Sequence, residues 1–404
     1  MVSRFVIRCH GCKNRLVLRI QVAAGLSPFV VGGVQAFVFA CPHCRSGIHG
    51  KLNSEIDKPP LLQGEDFDVA HEQEDPADTA VTVATDLPVH SSLIGYPARQ
   101  QKMTPFIQLT RSLDSEVFVG LMTSIGQVRQ LRELAFPYVR RASSFFMRGD
   151  LTGMKSALLD APNTDDDFAE VELGQMLGVA FADIYEPLED PSLSRAAAVE
   201  SARMVEDTRL ADGPALTQLL TDLEKGPLPE HRKRVLDTAL AALEDVEALL
   251  PAMWAERIEG VAELNDYRVM RDDFDSLKSR YVDVFELGSR SLAFMARVAN
   301  IAIRGDVRLH SDGVGRSLKK AVDGTPAKER EAWLDDFPNA KRLYDAIKRH
   351  TRNDIGHRLV RYDFESGSLV YEDGTNENYL LFLVDYLHAV GLTHYLLDVV
   401  FALG

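Results

Sequence analysis

Beyond residue 44 the chain has no cysteine. That absence excludes a disulfide framework spread along the fold. Positive charge is also scarce. Lys and Arg total 45 against 60 Asp and Glu, a formal net charge of −15. A surface of that average sign repels phosphate, so general polyanion coating is excluded, although a local basic pocket is not. No N-terminal stretch has the basic, apolar, small-residue order of an export signal, and this favours a cytoplasmic chain. The longest apolar run, residues 379–404, is broken by Asp385, His388, His394 and Asp398. A lipid-spanning helix disfavours those residues, so the run is expected as a buried amphipathic helix with no membrane partner. The chain also lacks a phosphate loop, a metal-binding His-Glu pair, a nucleophile elbow and a clear internal repeat.

What is present begins with the four cysteines, in "CHGC" at 9–12 and "CPHC" at 41–44. Two CxxC turns separated by strand-forming segments have the spacing of a zinc ribbon. Each turn brings two thiolates to one tetrahedral ion, in a segment too short to bury a core. "RLVLRI" and "AFVFA" are rich in strand formers, and "GLSPFVVGG" between them favours turns. CPHC is also a disulfide-oxidoreductase dipeptide motif. That chemistry needs a strand-helix-strand context of about a hundred residues, whereas an acidic stretch follows here. Lys13 and Arg45 occupy the positions where haem attachment needs histidine. The expected ligands are therefore Cys9, Cys12, Cys41 and Cys44 around a structural zinc ion, with His10 and His43 as bystanders. A closed four-thiolate shell implies no catalysis. The basic residues of this segment (Arg4, Arg8, Lys13, Arg15, Arg19, Arg45, Lys51) either suit nucleic acid or solubilise a small module.

The remainder predicts a mainly α protein. Residues 1–55 form a small N-terminal β zinc ribbon and 56–104 an acidic linker poor in large apolar residues, within which Leu87, Val89, Leu93 and Ile94 are available to pack. Residues 105–265 form an all-helical middle region with a kink or break at Pro137. The consecutive acids Asp165, Asp166 and Asp167 point in different directions and read as a solvated helix start. Residues 266–404 form a C-terminal helical bundle. In it a long helix carries an apolar stripe of Phe274, Leu277, Tyr281, Val284, Phe285 and Leu292. "LVRYDFESGSLVYEDG" alternates and turns at ESGS, as a β-hairpin insertion does.

One segment reverses the local charge. From Lys341 to Arg361 seven Lys or Arg face two acids. Within it "RNDIGH" spans Arg352 to His357. On a helix Asn353 and His357 share a face, with Arg352 flanking it. A permanently charged guanidinium can stabilise charge developing on a phosphate. An imidazole titrating near neutrality can shuttle a proton between a ribose 2′-hydroxyl and a leaving 5′-oxygen. The same residues also admit a bland reading: Arg352 paired with Asp345 or Asp354, His357 on a carbonyl, and Asn353 ending a turn before Gly356. Arg349 and His350 read as surface residues, and His388 and His394 as core or rim residues of the last helix.

RNDIGH resembles the RN-x-x-x-H signature of HEPN domains, helical domains found in many prokaryotic ribonuclease toxins, abortive-infection proteins and type VI CRISPR nucleases. The resemblance covers the last third of the chain. It implies a HEPN-like bundle that forms a homodimer through the C-terminal domain. It further implies an RNA substrate and metal-independent endoribonuclease cleavage to a 2′,3′-cyclic phosphate. Arg352 and His357 would be the catalytic pair and Asn353 the residue orienting them. The setting it implies is anti-phage defence or toxin-like arrest, with a phage-derived or protein trigger. The competing expectation is a non-catalytic adaptor or nucleic-acid-binding protein that uses the same domain to dimerise.

Overall fold

The computed structural model describes residues 2–21, 33–54, 59–100, 102–162, 173, 175–188, 191–257, 264–271, 273–307, 332–345, 355 and 360–402. The chain is mainly helical, with its strands concentrated near the N-terminus. It divides into two compact units, neither continuous in sequence. Unit 1 gathers Met1–Arg129, Asp245–Lys278 and Asn353–Asp385, and unit 2 gathers Gln130–Glu244, Ser279–Arg352 and Tyr386–Gly404. This differs from the consecutive divisions at 55, 104 and 265 that the sequence suggests, because distant segments complete each core.

In unit 1, β1 (Val2–Cys9) and β2 (Arg15–Gln21) form an antiparallel hairpin. A second hairpin joins β3 (Gly33–Ala40) to β4 (Gly47–Ser54). Neither stands alone. β5 (Leu61–Gly64) extends the second hairpin. The first becomes the centre of a five-stranded sheet, in the order β6-β1-β2-β7-β9. There β6 (Phe67–Ala70) pairs with β1, β7 (Thr79–Val83) runs parallel to β2, and β9 (Ile94–Pro97) pairs with β7.

The acidic stretch 56–104 is therefore not a linker; its described residues supply strands. Two features hid this. Its apolar residues are few, but Ala80, Val81, Val83, Leu87, Val89 and Leu93 are all 0 % exposed. Its acids meet the basic ribbon. Glu72 accepts from Arg8 at 2.6 Å and Arg15 at 2.8 Å, Asp78 faces Arg15 at 3.1 Å, and Glu74 faces Arg4 at 3.5 Å. What reads as an acidic linker is a charge complement to β1 and β2.

Later segments complete the unit. β8 (Val89–His90) pairs with β10 (Tyr267–Arg268). The expected hairpin is present, as β11 (Val360–Asp363) against β12 (Ser368–Tyr371), with β13 (Asn376–Asn378) added. The helices include α1 (Pro105–Ser112), capped by the Thr104 hydroxyl, the first part of α2 (Ser115–Leu134), and α8 (Val246–Ala255). Phe106, Phe118 and Trp254 form one aromatic cluster.

Unit 2 is helical among its described residues. α3 (Phe136–Met147) starts where Pro137 is tolerated, in a first turn whose N–H groups lack partners anyway. α4 (Leu151–Leu159) and α5 (Met176–Tyr185) follow. α6 (Pro191–Glu224) is broken at Asp212 (φ −154°, ψ 77°), whose carboxylate accepts from Ala215 N–H at 3.0 Å and restarts the helix. α7 (Leu228–Glu244) leads towards α8. In α9 (Phe274–Arg304), which begins in unit 1, the stripe read from the sequence is buried: Phe274, Leu277, Tyr281, Val284, Phe285 and Leu292 are all 4 % exposed or less. Glu200 on α6 caps α10 (Pro338–Asp345), accepting from the N–H groups of Asn339 and Ala340 at 3.1–3.2 Å.

The last helix, α11 (Tyr379–Ala402), is not amphipathic, for none of its described side chains is exposed. By length and composition alone Tyr379–Val399 could cross a membrane, with a mean hydropathy of 1.4, but 83 % of it is buried within the protein, as in a core helix.

Candidate metal centre

The two CxxC turns are local copies of one another. Ladder pairing ends at Arg8–Arg15 in one hairpin and at Ala40–Gly47 in the other, leaving residues 9–14 and 41–46 as the connecting turns. Cys9 O accepts from Lys13 N–H at 2.8 Å, and Cys41 O accepts from Arg45 N–H at 2.9 Å. Cys9 N–H then donates to Asn14 O at 3.1 Å, and Cys41 N–H to Ser46 O at 2.8 Å. Closing each turn forces the residue after its second cysteine into the left-handed region, Lys13 at φ 60° and Arg45 at φ 65°. That conformation costs a non-glycine residue about 1 kcal/mol.

The turns bring the four sulfurs together. Cys9 and Cys44 lie 3.8 Å apart, Cys12 and Cys41 also 3.8 Å, and all four ligand atoms fall within 4.8 Å of one another. A tetrahedron with metal–sulfur bonds of about 2.3 Å has sulfur–sulfur edges of about 3.8 Å. A disulfide requires about 2.05 Å, and all four cysteines are free. Among the described residues these cysteines are the only group of three or more His, Cys, Asp or Glu placed to hold a metal. The donor set fits a tetrahedral ion that prefers sulfur.

The surroundings are asymmetric. Cys9 and Cys41 are buried, Cys12 is half-buried and Cys44 is exposed. Burial pushes the Cys41 thiol up to about 12 and also raises Cys12. A hydrogen bond from the Ser46 hydroxyl lowers Cys44 to about 6. Ser46 Oγ lies 3.0 Å from Cys44 Sγ and 3.6 Å from Cys9 Sγ, between the two turns. Gly11 also serves the joint. A Cβ there would meet Ser46 Oγ at 2.8 Å and Cys44 Sγ at 3.2 Å, so a side chain would push the turns apart.

His10 and His43 are exposed and outside the cluster, and His10 pairs with Asp68 at 3.2 Å. The ribbon's arginines are mostly engaged. Arg4, Arg8 and Arg15 meet the acidic stretch. Arg19 is buried and donates to Tyr96 Oη at 2.5 Å, and Arg45 pairs with Glu365 at 2.6 Å. Lys13 and Lys51 remain exposed.

Arg352, Asn353 and His357 lie outside the described residues, as do Arg349, His350 and the acids Asp165, Asp166 and Asp167. His394 is 8 % exposed and stacks on Tyr185 at a centroid distance of 5.4 Å; His388 is half-buried. Sequence reasoning missed Ser46, Gly11 and the carboxylates that neutralise the ribbon. The only signal for the last was opposite charge in adjacent segments.

The chain is thus a mainly helical protein whose β-rich unit carries a four-cysteine centre. No known family, curated protein or solved structure matches it.

Proposed function

We propose that this protein is a metal-independent endoribonuclease of the HEPN type whose β-rich unit is held together by a structural zinc ion. The observation that carries the activity is RNDIGH, set in a segment with seven basic residues and two acids inside a chain of net charge −15. The mainly helical architecture and the hairpin directly after the motif support the reading. For the metal, the support is four thiols at the edge length of a zinc–thiolate tetrahedron.

In this reading His357 accepts the proton of a ribose 2′-hydroxyl, which attacks the adjacent phosphorus, and the same imidazole returns the proton to the departing 5′-oxygen. Arg352 neutralises charge growing on the phosphoryl oxygens, and Asn353 orients the pair. The products are a 2′,3′-cyclic phosphate and a free 5′-hydroxyl. Zinc stays outside the reaction, because four thiolates leave no open position. Two copies of the chain would meet to form the cleft, and phage defence or toxin-like growth arrest is the setting that suits such an enzyme.

The test is cleavage of a mixed RNA pool in EDTA, with metal content measured before and after. Wild type is expected to cleave and to retain one zinc per chain, and His357→Ala to lose about 10²–10⁴-fold in rate, the usual worth of a general acid–base group. Equal cleavage by both proteins, or none by either, overturns the proposal.

A further inference from the structure

A cavity of about 290 Å³ opens within unit 1 beside the second cysteine turn. Its walls are the end of β3 with the turn after it, β9, residues 268–270, and the β11–β12 hairpin. These walls are tied to one another. Tyr362 Oη donates to Val269 O at 3.1 Å, and Val38 N–H donates to Met270 O at 3.2 Å. The hairpin is anchored by β13 pairing on β12, by buried Leu369, and by Tyr379 N–H, which donates to Gly367 O at 3.1 Å. On the exposed rim Glu365 pairs with Arg45 at 2.6 Å, and Phe364 lies over Gly47, where an added Cβ would meet its ring at 3.0 Å. The space is therefore preformed, as ligand sites usually are.

One cation in this wall is left without a carboxylate. Arg268 is half-buried, and its side chain runs over Gly367, where an added Cβ would meet Arg268 Cδ at 2.2 Å. Gly367, at φ 68°, thus turns the chain and makes room for the arginine. Arg268 Nη1 donates to Asn265 O at 3.0 Å and to Tyr267 O at 3.2 Å. Among the described residues its Nε and Nη2 have no hydrogen-bond partner, and no carboxylate stands within ion-pair distance. Burial lowers the guanidinium from its ordinary value although Tyr362 and Asp266 oppose the shift, so its desolvation is not offset. A second donor lies on β3, the edge of its sheet. Cys41 N–H bonds Ser46 O across the hairpin, so by alternation Val38 and Ala40 turn their N–H groups away from β4. Met270 takes the Val38 N–H. The Ala40 N–H has no partner among the described residues, and Ala40 lines the cavity.

We propose that this cavity is a binding site for a small aromatic monocarboxylate, held by Arg268 and the Ala40 N–H. The site is independent of the ribonuclease reading. A guanidinium presents Nε and Nη2 side by side, at the spacing of a carboxylate's two oxygens. Charge selects a monoanion. Arg45 is already engaged by Glu365, so a phosphate dianion would find one free cation and a carboxylate beside it. Volume sets the size: at roughly 30 Å³ for each water-sized unit, the cavity takes about ten non-hydrogen atoms. The apolar lining, which includes Phe39, Pro42, Ile94, Met270, Tyr362 and Phe364, suits a flat ring.

The experiment is a fluorine NMR titration of the full-length protein with 4-fluorophenylacetate, its neutral amide and 4-fluorophenyl phosphate. The acid is expected to bind with a Kd of about 1 mM or tighter, the amide about tenfold more weakly or worse, and the phosphate more weakly than the acid. Arg268→Gln should weaken the acid by about tenfold or more and leave the amide unchanged. Hydrogen exchange across β8, β10 and the β11–β12 hairpin checks that this variant keeps its fold. Glu365→Gln changes only an exposed rim residue and removes a carboxylate that repels the ligand, so it should tighten the acid about threefold. If Arg268→Gln disturbs exchange, Glu365→Gln decides alone. Equal binding of acid and amide overturns the proposal, as does no binding of the acid, or an acid affinity that neither variant changes. Tighter binding of the phosphate than of the acid overturns the assignment to a monocarboxylate.

Discussion

Arg129 shows how much one buried charge carries. Its side chain is 3 % exposed and faces Asp86 Oδ2 at 3.5 Å and Glu247 Oε2 at 3.6 Å. Burial raises the Asp86 carboxyl even though Arg129 opposes the shift, so desolvation outweighs this loosely spaced pair. Arg129→Met would strand Asp86 without its cation, and the expected loss is about 3 kcal/mol of stability, read from the denaturant midpoint. Adding Asp86→Asn should recover most of it, because the stranded charge and not the missing contact is the main cost. A single variant as stable as wild type would show the pair to be peripheral. At the same scale the four cysteines were legible in the sequence, since spacing alone defines a CxxC turn. Ser46 and Gly11 were not, because their roles exist only once the two turns meet.

Among the elements, the packing of α7 on α9 predicts a pH dependence. His231 on α7 is 5 % exposed, stacks on Phe294 at 4.5 Å, and has Nε2 2.9 Å from Ser291 Oγ on α9. Burial lowers it from 6.5 to about 4, with Arg234 pushing the same way. Between those values the unfolded chain binds a proton that the folded chain does not, so stability falls as the solution is acidified from pH 6.5 towards 4. The contribution at stake is about 3 kcal/mol. Urea titrations across that window should show the loss in wild type and a flatter profile in His231→Leu, corrected for its lower stability at neutral pH. Equal slopes would exclude His231 as the source. Helical periodicity found the α9 stripe and the break at Pro137, and alternation found the β11–β12 hairpin. It did not find β6 or β7. In a parallel pairing such as β2 with β7, the partner strand is specified by neighbours remote in sequence and not by its own alternation.

For the whole molecule, the β-rich unit predicts that residues 1–55 do not fold alone. That fragment contains both cysteine turns but lacks β6 and β7, which flank its first hairpin, and the acids that neutralise Arg4, Arg8 and Arg15. A peptide of 1–55 with one equivalent of zinc is expected to bind the ion yet give poorly dispersed amide proton spectra. A well-dispersed spectrum would show the ribbon to be self-sufficient. The same connectivity explains why consecutive domain boundaries mislead here. Each unit closes its core with segments more than a hundred residues apart in sequence, and composition along the chain carries no trace of that closure.

By itself, the amino-acid sequence determined what short-range geometry determines: two cysteine turns of one kind, the apolar stripe of α9 and the hairpin after residue 360. Which pieces meet was decided by the tertiary structure. Folding turned an acidic stretch into strands by setting its carboxylates against the arginines of β1 and β2. It also laid the hairpin turn of Phe364 and Glu365 on a cysteine turn more than three hundred residues earlier. The reason is physical: a turn is closed by hydrogen bonds between neighbours, whereas burial and charge pairing are settled only by which distant surfaces exclude water together.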